Sequence, residues 1–193
     1  ELKEKEWFAE CRPDIANAST GAERKRMIEV LKHEDPTLFA SFTNAQREHD
    51  GVSHFIGDSG RYPLCGRGRI NLYAVFAEAM RTLLNVHGRT GCVLPTGIAT
   101  DDTTKFFFRD VVEKKSLVSL YSFENEEFIF PNIHHATKFC LFTTGRGTTA
   151  IADRVHLVFS ARQVDHLWDP ERSFTLSAED IALLNPNTRT CPI

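Results

Sequence analysis

The sequence predicts an α/β protein that closes on a reversed strand pair, plus helices at its amino-terminal end. Three observations predict it. Apolar residues recur at helical spacing in several segments; a short apolar run of buried-strand type follows the strongest of these; and two β-rich runs sit about a dozen residues apart. The order helix, strand, helix, strand, antiparallel strand describes the last part of an α/β sheet. With 193 residues and 41% hydrophobic content, the chain can bury one substantial core.

Thr20 and Glu23 have the spacing of a capping box, and Met27, Ile28 and Leu31 form one stripe, so a helix is expected over 21–33. Pro36 suits a first helical turn. Leu38, Phe39, Phe42 and Ala45 then carry a second helix to about Glu48. The stretch 51–68 (GVSHFIGDSGRYPLCGRG) reads as an irregular connection because of its glycines and Pro63. The strongest helix comes next, with Ile70, Tyr73, Phe76, Ala77, Met80, Leu83 and Leu84 in period, and Gly88 is expected to stop it with a positive φ. Cys92, Val93 and Leu94 are read as a buried strand closed by Pro95. Thr100 to Thr103 offer N-caps for a helix carrying Phe106, Phe107, Phe108, Val111 and Val112. Residues 117–123 and 138–144 are strands, paired antiparallel because the loop between them is too short for a crossover helix. A further strand is expected over 154–162 and a short helix from Ser177 to about Asn185, before Pro186.

Net charge of -3 and a pI near 6.3 exclude a broadly cationic nucleic-acid coat but leave room for a local basic face. The five cysteines, Cys11, Cys65, Cys92, Cys140 and Cys191, form no CxxC pair and point to a reducing cytoplasm; Cys92 and Cys140 read as buried small hydrophobes. No apolar run approaches the roughly 20 residues that cross a bilayer. The opening ELKEKEWF, without Met, reads as an interior piece of a longer protein.

Two stretches carry a resemblance. RYPLCGRGRINLYAVFAEAMRTLLNVHGRTGCVLPTGIATDD and SLYSFENEEFIFPNIHHATKFCLFTTG resemble the class I S-adenosylmethionine-dependent DNA adenine-N6 methyltransferases, above all the large combined restriction-modification enzymes, and the likeness runs from Glu1 to about Thr190. It implies a Rossmann-like sheet of order 3-2-1-4-5-7-6, of which this chain would supply the carboxy-terminal half. Residues 92–94 would be the fifth strand, 117–123 the sixth and 138–144 the antiparallel seventh. Residues 1–150 would close the catalytic domain, and 151–193 would add a strand and short helix leading toward a target-recognition region. The family's cofactor motif FxGxG and catalytic Asn-Pro-Pro-aromatic are not in this sequence; Asn185-Pro186-Asn187-Thr188 lacks the second Pro and the aromatic. In the family that motif accepts the hydrogens of the target amine, whose delocalised lone pair makes it a poor nucleophile. The chain alone is therefore expected to be inactive and to need no cofactor. A longer parent would use S-adenosylmethionine, act on double-stranded DNA in a prokaryotic cytoplasm, and hold a flipped base at the carboxyl ends of its parallel strands.

Alternating strand direction brings the loops 51–69, 95–103 and 124–136 to that face. Arg61, Arg67, Arg69 and Lys138 are the candidate phosphate contacts; Tyr62, Phe130 and Pro131 are candidate walls of a base pocket, and Pro95 and Thr96 lie in the loop that leaves the fifth strand. Plainer readings stand beside these. The arginines serve equally as solvated surface residues; His134-His135 lacks a third ligand and, on a strand, its rings would point apart; 145–149 lacks the P-loop spacing and reads as a turn; Phe106 to Phe108 read as core on a helix running away from the active face. Two other functions remain open: a non-catalytic module that contacts DNA or another subunit, and a degenerate methyltransferase-like scaffold. A piece without the preceding strands is also expected to expose an apolar patch and an open sheet edge, and so to self-associate or hold the missing half.

Overall fold

The computed structural model describes residues 2–146 and 153–191, arranged in two compact units, Glu1–Ser59 and Gly60–Ile193. The first unit is helical: α1 (Glu4–Phe8), α2 (Pro13–Ala16), α3 (Gly21–Glu34) and α4 (Pro36–Asp58). Thr20 caps α3 by accepting from Glu23 N at 3.1 Å, while the Glu23 carboxylate turns back to Ser19 N and Oγ rather than to the cap residue itself. Phe8, Ile15, Ile28, Leu31 and Phe42 form its core, with Trp7 edge-on to Phe8. The buried Arg24 guanidinium donates to the carbonyls of Ile15, Ala16 and Ala18, satisfying the end of α2.

Helix α4 departs from the expected end near Glu48 and runs to Asp58, absorbing the first eight residues assigned to the irregular connection. Gly51 costs an interior helix position only about 1 kcal/mol, and Val52, Phe55 and Ile56 prolong the stripe begun by Phe42. Irregular backbone begins instead at Ser59, and Gly60 takes a φ of +73° that only glycine adopts easily.

The second unit holds α5 (Leu72–Leu83), β1 (Arg89–Pro95), α6 (Gly97–Thr100), α7 (Lys105–Glu113), β2 (Leu117–Glu124), β3 (Lys138–Gly145), β4 (Val155–Ala161), β5 (Ser173–Leu176) and α8 (Ala178–Leu184). The strands form one sheet of order β1-β3-β2-β4-β5. β3 is antiparallel to both β1 and β2, which is the expected placement of a reversed seventh strand between a fifth and a sixth. Beyond that expectation, β4 adds parallel to β2 and β5 antiparallel to β4, so the segment after residue 150 extends the same sheet. Met80 of α5 reaches Cys92, and Phe107 of α7 packs on Phe142, the residue paired with Cys92; both helices therefore cover one face.

Three local expectations are corrected. Gly88 has no positive φ: it makes a tight turn in which an added Cβ would meet Leu84 Cδ2 at 3.1 Å, while α5 has already stopped at Leu83. Thr100 to Thr103 do not cap α7: Thr100 ends α6, and a 3-10 turn over Asp102–Thr104 follows, held by Thr104 Oγ1 donating to Gly97 O at 2.6 Å. The rings of His134 and His135 do not diverge; they stack 4.5 Å apart on a turn. Of the turn expected at 145–149, residues 147–149 lie outside the described residues. Ser177, at the expected entrance to the last helix, forms a capping box with Asp180 at the start of α8. No helix among the described residues is long and apolar enough to cross a membrane.

A candidate nucleic-acid interface at one end of the sheet

Strand direction fixes which loops share an end. Pro95 pairs with Phe139, Glu124 with Lys138, and Phe123 with Ala161, so the carboxyl ends of β1, β2 and β4 meet the start of β3. Thr96 N donates to Lys138 O at 3.3 Å, tying the loop after β1 to that edge. Glu124 sits at its centre between Lys138 Nζ (3.3 Å) and Arg162 (3.1 Å). The hydrogen bond from Lys138, with that from Arg162, holds its carboxyl below the usual range.

Asn125 follows directly and is fully buried. Its Nδ2 donates to the carbonyls of Phe130 (3.0 Å) and Ile133 (2.9 Å), and its Oδ1 accepts from Phe130 N (2.9 Å). One side chain thus satisfies three backbone groups and fixes the whole 125–133 turn, including Phe128 at a φ of +50°. The turn presents Phe128, Ile129, Phe130 and Ile133 to solvent, and Phe130 stands edge-on to Phe139 at 4.9 Å.

Of the residues singled out in the sequence, Pro95, Thr96, Phe130, Pro131 and Lys138 are brought to this end of the sheet. Thr96 is buried and its hydroxyl has no partner among the described residues, whereas Pro131 and Lys138 are exposed. Arg61 and Tyr62 are placed elsewhere. They line a cavity with Ala79, Thr82 and Leu83, the last turn of a helix whose Met80 lies against β1 and whose chain leads into Arg89. Tyr62 is therefore near the opposite end of β1 and is not brought beside Phe130 or Pro131. The loop from Gly60 climbs along α5 instead. Leu64 N and Cys65 N both donate to the buried Glu78 carboxylate at 3.2 and 2.8 Å, and beyond this anchor Arg67 reaches the ring of Phe106 at the start of α7. Arg69 is exposed in the same segment.

The Phe106 to Phe108 expectation divides in the structure. Phe107 and Phe108 are fully buried core, but Phe106 is only half-buried in the first turn of α7, at the Pro95 end from which that helix runs away. Sequence reasoning missed Glu124, Asn125 and Arg162, although a Glu-Asn pair ending an apolar strand was a readable signal; it also missed Lys105 and Arg109, which no spacing rule linked to Arg67. Burial pushes the thiols of Cys140 and Cys191 up to about 12, which leaves them protonated near neutrality. Among the described residues no cluster of His, Cys, Asp and Glu has the makings of a metal site.

A mixed sheet with a reversed strand seated between two others, and helices packed on it, defines the fold class: a partial, Rossmann-like sheet of the kind methyltransferases have. Among solved structures the chain is similar to the methyltransferase subunit of a type I restriction-modification system from Streptococcus thermophilus, at 16% identity and a TM-score of 0.50, over 72% of this chain and 34% of that one. It is also similar to the type IIG restriction endonuclease BpuSI, at 15% identity and a TM-score of 0.48, over 63% of this chain and 16% of that one. The chain thus spans about a third or less of either protein. No protein-family model matches it. No curated protein matches it either.

Proposed function

We propose that this chain is the carboxy-terminal part of the catalytic domain of a DNA adenine-N6 methyltransferase of a restriction-modification system, inactive by itself. The observation that carries the reading is the seating of β3 between β1 and β2, antiparallel to both, in a chain whose residues at those strands resemble that family. Residues 60–191 then contribute the rim of a base-binding cleft, with Phe130 and Pro131 beside the flipped base and Lys138 near the phosphates. Arg61 and Tyr62, near the opposite end of β1, belong to a separate DNA contact or to none.

S-adenosylmethionine is the methyl donor of the longer protein on this reading. At Gly97, where the chain leaves β1, an added Cβ would clash with Asp101 Oδ2 and lie 3.1 Å from Tyr73 Oη, so this turn has no room for the donor. On this reading the donor is held by the part of the longer protein that carries the family's cofactor motif.

The test is methyl transfer. The longer protein, given S-adenosylmethionine and duplex DNA, is expected to yield N6-methyladenine by mass spectrometry of the hydrolysed bases, and the present chain none. Methylcytosine as the only product would refute the adenine assignment, and no transfer by the longer protein would leave the non-catalytic or scaffold reading.

A further inference from the structure

Three cations converge on one aromatic ring. Arg67 Cζ lies 5.3 Å from the centroid of Phe106, Lys105 Nζ 5.4 Å and Arg109 Cζ 5.6 Å. Lys105 and Arg109 are one helical turn apart on α7, whereas Arg67 arrives from the loop that Glu78 anchors to α5. Such a cluster is self-repelling, because its charges are no farther apart than about one Debye length, roughly 8–10 Å. Its own carboxylates relieve only part of this. Asp102 pairs with Lys105 at 2.7 Å, Asp110 with Arg81 and Lys114, and Asp101 is turned against Gly97; among the described residues neither Arg67 nor Arg109 has an ion-pair partner.

Cation–π contact at these positions yields only about 0.5–1 kcal/mol each at exposed sites. A guanidinium laid over a ring does gain something else: its face is used while its in-plane N–H fork stays open to an anion. Phe106 therefore gathers the three cations at one place, with Arg67 and Arg109 lacking ion-pair partners among the described residues.

We infer that Arg67, Lys105 and Arg109, set around Phe106, grip consecutive backbone phosphates of duplex DNA. This rests on the DNA-acting reading above and extends it to two residues in the first turns of α7, which the sequence reading had not singled out. The cluster lies at the Pro95 end of β1, the same end as Lys138.

The experiment is a fluorescence-anisotropy titration of this chain with a labelled duplex of arbitrary sequence, between about 50 and 200 mM NaCl. Each lost phosphate contact lowers the slope of log K against log salt by about 0.9, so R67Q/R109Q is expected to flatten it by nearly 2 units, and added K105Q by about one more. R67K/R109K, which keeps the charges, should retain the slope. Melting temperatures no lower than the wild type's verify that the glutamine variants fold. An unchanged slope in R67Q/R109Q overturns the assignment, as does binding of poly-glutamate that matches duplex binding and is lost in the same variants, since that would identify an acidic protein partner. An unchanged slope alongside adenine methylation by the longer protein would sink the cluster and spare the proposed function. A flattened slope without any methyl transfer would do the reverse.

Discussion

Glu124 is the residue on which most of the candidate interface turns, because its carboxylate ties the end of β2 to Lys138 at the start of β3 and to Arg162 just after β4. Its hydrogen bonds with Lys138 and then Arg162 lower its folded pKa below the unfolded value. The sign follows directly: the stabilisation is complete above the ordinary carboxylate range and disappears as pH falls through the lowered value. Both cations are about half exposed, so the two pairs together are expected to contribute no more than about 1 kcal/mol. Glu124→Gln should accordingly lower stability slightly at pH 7 in urea denaturation, and the gap from wild type should close in acid. A gap that persists at low pH would mean the carboxylate acts by packing and not by charge. Asn125, next in sequence, acts differently: it is buried and wholly spent on backbone groups, so it shapes the turn that displays Phe130 without titrating.

At the scale of elements, helices α4 and α5 show how far periodicity carries. α4 follows its apolar stripe straight through Gly51, whose Cβ position faces open space. Gly51→Ala should therefore stabilise the protein by about 0.5–1 kcal/mol, read from the urea midpoint, because alanine loses less backbone entropy and meets no neighbour. A loss of stability would show that the helix breaks near Gly51 in solution. α5 obeys the same period but buries only one flank of it, with Phe76 62% and Leu83 84% exposed. Helical pattern fixed the element; it did not fix how much of the apolar surface is covered.

For the whole molecule, the open side of β1 matters most. Among the described residues nothing pairs with the edge of β1 opposite β3, and Val93 is 56% exposed on the face that α5 and α7 do not cover. An unpaired edge beside uncovered apolar side chains is a template for another strand. Light scattering should show association that rises with concentration, together with binding of a hydrophobic dye, and Val93→Lys should reduce both. A monomer at all concentrations that binds no dye would contradict this account.

The sequence by itself determined the α/β class, the reversed hairpin and the longer elements, because these depend on spacing between near neighbours: Thr20 with Glu23, Ser177 with Asp180, alternation along β2 and β3. It did not determine α1, α2, α6 or β5. It also brought Pro95, Thr96, Phe130, Pro131 and Lys138 to one end, since strand direction alone sorts loops between the two ends of a sheet. Only the tertiary structure decided the rest. It sent Arg61 and Tyr62 away from that end, because two hydrogen bonds to Glu78 hold their loop along α5. It set Arg67 beside Lys105 and Arg109, some forty residues away in sequence. And it added β4 and β5 to the sheet. Contacts between distant segments depend on where whole elements pack, which no local period records.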